Sequence, residues 1–309
     1  MNDFEIIRTN HLVRKTRKQK DAFIDWVLGE FPNAKVETGG MLNSRNVVIG
    51  DVRRARTVIS AHYDTCAELP FPNLIMPKNF ILTLLWSLLI CLPFFAFVLG
   101  AEWLAGFLTN SATLAYLVRI VALCLVFWLI LSGWANPNTF NDNTSGVVTV
   151  LRLAKRCRDE GIGDVAFVLF DHEETGLFGS SFFRSHHKKE MLNTLLINLD
   201  CISDGDDVMV VVNRRARKLH GDLFEKSFLA TEKKRVRFDS AGLTFYPSDQ
   251  MGFRLNIAIC ALKKKWGVLY LDRIHTRRDT AWDEENLALV ENGILSFLKT
   301  TENEPKANA

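Results

Sequence analysis

The stretch 168-VLFDHEETGLFGSS-181 decides the fold and raises its chemical question. An apolar run ends in an acidic cluster and then in small, glycine-containing sequence. The run 164-DVAFVLF-170 is apolar almost throughout, the pattern of a strand covered on both faces rather than one. Glu173 and Glu174 stand side by side at its carboxyl end. Adjacent like charges repel, and burying them is costly without a counter-charge or a metal. Something positive is expected there.

Outward from this strand the same signal recurs. Short apolar runs appear at 46-NVVIG-50, 57-TVISAHYDT-65, 194-TLLINLD-200, 207-DVMVVV-212, 256-NIAICAL-262 and 267-GVLYL-271. Between and around them lie helical patterns at Asn10–Gly29, 145–157, Ala216–Thr231 and Glu284–Lys299. In 145-SGVVTVLRLAKRC-157, Val147, Val150, Leu151 and Ala154 share one face. Apolar strands alternating with helices predict an α/β domain, a three-layer sandwich around a mixed, mainly parallel sheet. The polar end, 301–309, reads as a tail.

In such sheets ligands gather beyond the carboxyl ends of the strands. His62 and Asp64 end one strand, Glu173 and Glu174 follow another, and Asp200 ends a third. His275 follows 267-GVLYLDRI-274, and Asp142 lies in NDNTSG before a helix start. Imidazoles and carboxylates without thiolates suit Zn²⁺, or Mn²⁺ or Co²⁺, in an open catalytic site. Two histidines and three carboxylates are enough for two ions if one carboxylate bridges, an arrangement that makes hydroxide near neutral pH. One glutamate of the pair would then bind metal while the other takes a proton. Asp64, two residues after His62, is expected to accept the second imidazole N–H and orient the ring.

The chain has 309 residues, a formal net charge of +3 and 24% charged residues. These values fit a globular protein and exclude nucleic acid as the main partner. Six scattered cysteines with no CxxC pair argue against a disulfide framework or a cysteine zinc site and suggest a reducing compartment. MNDFEIIRTNHLVRKTRKQK carries no apolar core of the secretory-signal kind.

Two segments depart from this average. Phe80–Leu99 carries no charge, and Ala112–Trp134 carries only Arg119. As helices each spans about 30 Å of hydrocarbon. Soluble helices this long rarely stay apolar on every face. Pro93 is tolerated in such a span, and Trp103 and Trp134 suit its interfaces. Residues 77–135 therefore read as a transmembrane hairpin closed by the loop AEWLAGFLTNS. It divides a discontinuous catalytic domain, 1–76 and 136–300. Lys78, Arg152, Lys155 and Arg156 flank it, which places the large domain in the cytoplasm. Arg119 is expected to snorkel or to pair within the membrane.

SAHYDT, NDNTSG, HEETGLFGS, NLD, PSDQMGF and IHTRRDT, in this order, resemble the M28 family of zinc peptidases. The likeness spans the chain outside the hairpin and implies a phosphorylase/hydrolase-like α/β fold. It implies that His62, Asp142 and Asp200 hold one zinc, and Asp142, Glu174 and His275 the other, with Asp142 bridging. Glu173 would be the general base and Asp64 a partner of His62. The implied activity is a membrane-anchored aminopeptidase acting on peptides through metal-bound hydroxide, with lipid contacting the hairpin. Two features depart from the family pattern. Ser248-Asp249-Gln250 stands where many members have Ser-Asp-His, which bears on substrate contacts, and the hairpin replaces a much shorter loop.

Three rival readings remain. A glutaminyl cyclase shares the fold but uses one zinc and releases ammonia. An M20-type amidohydrolase or carboxypeptidase needs a lid domain for which the chain has no room. An inactive membrane adaptor would lack ligands or the base, and all are present. His11, His172, His186, His187 and His220 read as surface or core residues, with His186–His187 at a solvated helix end. The clusters 233-KKRVR-237 and 263-KKK-265 read as solvent faces or lipid-headgroup contacts. Tyr246 and Phe253 read as pocket or core.

Overall fold

The computed structural model describes residues 2–302. In chain order the elements are α1 (Asp3–Asn10), α2 (Arg17–Glu30), β1 (Ala34–Gly39), β2 (Ser44–Ile49), β3 (Thr57–His62), α3 (Phe80–Thr109) and α4 (Ala112–Ser132). There follow α5 (Gly146–Glu160), β4 (Val165–Phe170), α6 (Phe178–His186), β5 (Leu195–Leu199), β6 (Asp207–Val212), α7 (Arg214–Ser227), β7 (Arg235–Ser240), β8 (Asn256–Lys265), β9 (Val268–Tyr270) and α8 (Glu284–Glu302). The sheet order is β1-β2-β4-β3-β5-β8-β6-β7, with β9 on the end of β8. β4, β3, β5 and β8 run parallel at the centre, while β1–β2, β2–β4 and β8–β6 pair antiparallel.

Successive strand side chains point to opposite faces, and the core divides accordingly. Ile59, Phe167, Leu169, Ile197 and Ile259 face one layer, packed by Phe23, Val150, Leu151 and Val290 of the helices. Val58, Val168, Phe170 and Leu196 face the other, where Phe183 of α6 covers them. Each such side chain fully removed from water contributes roughly 1.5–3 kcal/mol. The result is the three-layer, mainly parallel α/β architecture expected from the strand pattern, with the second layer thinner than the first. β3, β4 and β5 are buried at every position, which explains why their sequence shows no alternation.

Several elements differ from the sequence reading. The helix expected over Asn10–Gly29 begins seven residues later, and a separate helix, α1, ends where it was expected to start. Thr16 closes a capping box with Gln19 that starts α2 only at Arg17. β1 and β7 escape periodicity reading because they are sheet edges with few buried positions. β7 contains most of the basic cluster 233–237, and its Arg235 and Arg237 pair with the buried Asp207. His187 is not solvated. It is buried, and its Nε2 lies 2.8 Å from Glu37. Phe253 is core, packed near Phe170. α8 extends to Glu302, and the remainder of the expected polar tail lies outside the described residues.

α3 and α4 form an antiparallel pair projecting from the domain. The segment expected as a loop over 101–111 is mostly helix, because α3 continues to Thr109. The turn is Asn110, in the left-handed region, and Ser111, which caps α4. Arg119 pairs with Glu102 at 3.2 Å. Val98, Ala122 and Val126 pack between the two helices. Both are long and apolar enough to cross a membrane, and they bury only 6% and 11% of their most apolar windows within the protein. Most of the large exposed apolar side chains lie on this pair.

Candidate metal centre

The carboxyl ends of the parallel strands converge. His62 is the last residue of β3, Glu173 and Glu174 follow β4, and Asp200 follows β5. Asp142 sits in an irregular turn before α5, and His275 in the segment after β9. His62 Nε2 lies 3.2 Å from Asp142 Oδ1 and 3.8 Å from Asp200 Oδ1. His275 Nε2 lies 3.1 Å from Asp142 Oδ2 and 3.2 Å from Glu174 Oε2. Asp142 thus turns one carboxylate oxygen to each imidazole. Glu173 joins the same cluster beside His62 and Glu174.

Buried hydrogen bonds set these positions. His62 Nδ1 lies 3.1 Å from the Asp64 carbonyl oxygen, which can only accept, so Nδ1 carries the hydrogen and Nε2 turns its lone pair to the acids. The Asp64 carboxylate is farther from the ring, at 3.7 Å, than the expected orienting bond. Its oxygens instead accept the backbone N–H groups of Glu173 (3.0 Å) and Glu174 (3.3 Å), pinning the glutamate turn to the end of β3. Gly179 lets α6 approach this turn, since a Cβ there would sit 2.1 Å from the Asp171 carbonyl. His172, Leu177, Cys201 and His275, all beside the cluster, have φ between 56° and 61°. Such non-glycine conformations cost on the order of 1–3 kcal/mol each and collect where a site requires them.

Other residues that the sequence did not single out complete the centre. Asp279 accepts the backbone N–H groups of Asn141 and Asp142 at 2.9 and 3.0 Å and holds the Asp142 turn. Arg14 is fully buried. Its Nε donates to the Tyr63 carbonyl at 2.5 Å and its Nη2 to Thr144 Oγ1 at 3.2 Å, so it ties the end of β3 to the Asp142 turn. Nothing separates Arg14 from the exposed basic residues around it in the sequence. Lys20, also buried, pairs with Asp171 at 2.5 Å behind the glutamate turn. Removing one partner from such a pair costs about 3–5 kcal/mol, because the other charge stays buried. The Cys66 thiol lies within 4.8 Å of ligand atoms of Glu174 and His275. No second cysteine lies near it in sequence, so cysteine spacing does not point to it. Gln250 is tied to the scaffold, donating to the Tyr246 carbonyl at 2.6 Å and accepting from Asn198 at 3.2 Å. Of the five other histidines, His172 comes nearest in sequence, with Nδ1 3.0 Å from Ser44 Oγ.

Burial and like charge act together on the acids of this edge. Burial pushes Glu174 up to about 8, with Asp142 adding to the rise. Burial also raises Glu173 well above the usual carboxylate range, reinforced by Glu174 and Asp249. Asp249 and Asp279 are each pushed up to about 7, again chiefly by burial. Burial works against protonation of His275, yet Glu174 and Asp142 carry it up to about 9. Burial likewise disfavours the charge on Arg14, which drops to about 10. Glu174 Oε1 is buried without a hydrogen-bond partner among the described residues. Buried acids in excess of their positive partners, the orphaned Glu174 oxygen and two imidazoles whose Nε2 atoms face the same carboxylate are a donor set that fits zinc.

A family model, Peptidase family M28, matches residues 133–298. No curated protein matches the chain in sequence. Among solved structures, the LapA aminopeptidase of Legionella pneumophila is similar, with a TM-score of 0.59 and 13% identity over 98% of this chain and 68% of its own. The glutaminyl cyclase of Porphyromonas gingivalis is also similar, with a TM-score of 0.55 and 13% identity over 97% of this chain and 99% of its own. At such identity these likenesses speak for the fold alone.

Proposed function

The chain belongs to peptidase family M28, and from that premise we propose that it is a membrane-anchored, dinuclear zinc aminopeptidase. The observation that carries this reading is the Asp142 carboxylate, whose two oxygens face two different histidines at 3.2 and 3.1 Å. His62, Asp142 and Asp200 would hold one zinc, and Asp142, Glu174 and His275 the other. Mn²⁺ or Co²⁺ suits the same donors. When bound, zinc supplies Lewis acidity toward a carbonyl oxygen and a water of lowered pKa.

The protein's own groups do the rest. Glu173 is the general base. It faces the cavity beside His62 and Glu174, takes a proton from the attacking water and delivers it to the departing amine as the peptide C–N bond breaks. Asp64 keeps Glu173 and Glu174 in register through their backbone N–H groups. Asp279 does the same for Asp142. Tyr246 lines the cavity, and its hydroxyl is held by the Asp200 carbonyl at 3.2 Å.

Residues 77–135 form the anchor, inserted in a catalytic domain made of 1–76 and 136–300. Left in water, each exposed leucine of this pair would forgo about 1.5–3 kcal/mol, which only lipid or a partner recovers. Lys78 before it and Arg152, Lys155 and Arg156 after it support a cytoplasmic catalytic domain by the positive-inside tendency. An Asn110→Cys variant is expected to react with a membrane-impermeant maleimide applied to intact cells. Reaction only after permeabilisation reverses the orientation.

A glutaminyl cyclase is the second reading, favoured by the full-length match in fold. Detergent-solubilised protein with bound zinc is expected to release free leucine from leucine-terminated peptides and to bind two zinc ions per chain. Pyroglutamate and ammonia from glutamine-terminated peptides, with one zinc, assign the cyclase instead. No turnover of either peptide leaves the fold as a membrane adaptor.

A further inference from the structure

The cavity in front of the cluster does not end within the α/β domain. It measures about 520 Å³ and is lined on one side by Glu173, Glu174 and His275, and on the other by Thr83 and Ser87 of α3 and Leu131 of α4. Thr83 and Ser87 are four residues apart and so share a helix face. Ser87 lies seven residues into α3, roughly 10 Å along its axis. Yet Phe80 and Ile81, the first residues of α3, are already exposed and apolar, at 50% and 71%. The lipid-facing surface therefore begins before the cavity wall ends. If α3 enters the bilayer where its apolar surface starts, the cavity opens at the depth of the membrane interface.

The wall is fastened to the catalytic rim. Leu69 N–H donates to the His275 carbonyl, and Glu68 N–H to the Trp134 carbonyl, each at 2.8 Å. Thr83 Oγ1 accepts the Met76 N–H at 2.9 Å, and Trp86 Nε1 donates to the Pro72 carbonyl at 3.1 Å. Phe80 packs edge-on against Phe245, itself a cavity residue, with ring centroids 5.0 Å apart.

We propose that the base of the hairpin is part of the substrate site. The substrates are peptides held at the membrane interface, with the N-terminal residue at the acid–histidine cluster and the following segment against Thr83, Ser87 and Leu131. The inference rests on the peptidase reading above and narrows its substrate class.

The test uses the full chain in phosphatidylcholine vesicles with two leucine-terminated peptides of one sequence. One is free, and the other carries a palmitoylated C-terminal lysine. The acylated peptide is expected to be cleaved with the higher kcat/KM. Ser87→Trp, which fills the hairpin side, is expected to lower kcat/KM for the acylated peptide by about tenfold or more, whereas Leu88→Trp, on the lipid face, leaves it within about twofold. Vesicle partitioning is the same for all three proteins, so an unaltered kcat/KM in Ser87→Trp overturns the proposal. A p-benzoylphenylalanine at position 87 gives a reading independent of turnover. Photo-crosslinking to the acylated peptide supports the site even if neither peptide is cleaved, in which case the peptidase reading alone fails. No adduct overturns the site.

Discussion

Glu173→Gln is expected to lower kcat by about 10²–10⁴-fold while zinc content and KM stay close to those of the unaltered protein. Glutamine keeps the size and one oxygen of the side chain but cannot accept and return a proton. The substitution removes one of several crowded carboxylates, so it relieves repulsion and leaves the fold intact. Two alternatives predict otherwise. If Glu173 held metal, zinc content would fall with activity. If it only shaped the cavity, KM would change and kcat would not. Kinetics on a leucine-terminated peptide, with metal analysis of the same preparation, separates the three.

Asp142→Ala is expected to abolish turnover by a different route. Its two oxygens lie 3.2 and 3.1 Å from His62 and His275, so one truncation strips a ligand from both proposed positions. Zinc content should fall from two equivalents to at most one, weakly held. Thermal unfolding supplies the second readout. At a free zinc concentration a thousandfold above Kd, a bound ion stabilises the folded state by about 4 kcal/mol. The unaltered protein should therefore show a Tm that rises with added zinc and drops on chelation, and Asp142→Ala a Tm that zinc scarcely moves. An Asp142→Ala protein with two tightly held ions contradicts the shared-carboxylate geometry.

Much of this was readable along the chain, for a physical reason. β3, β4 and β5 are buried on both faces, and continuous burial demands continuous apolar sequence, so 57–62, 165–170 and 195–199 stand out without any tertiary knowledge. The edge strands β1 and β7 carry no such demand and do not stand out in the sequence. The seven candidate site residues were named because strands that end together present their next residues together. The structure brings all seven to one edge. What Asp64 does there differs from expectation, since its carboxylate holds two backbone N–H groups and not the imidazole.

The chain by itself determined the fold class, the apolar hairpin and the identity of the clustered acids and histidines. All three depend on local burial or on order along the chain, and both leave marks in composition. Only the tertiary structure decided that Arg14 is a buried cation behind the site, that Asp279 holds the Asp142 turn, that Cys66 faces Glu174 and His275, and that Thr83, Ser87 and Leu131 of the hairpin wall the catalytic cavity. Each of these is a meeting of segments tens to hundreds of residues apart. An arginine among other basic residues, or a serine within an apolar helix, looks the same in sequence whether it faces water, lipid or a substrate. Three-dimensional packing alone sets which of these it meets.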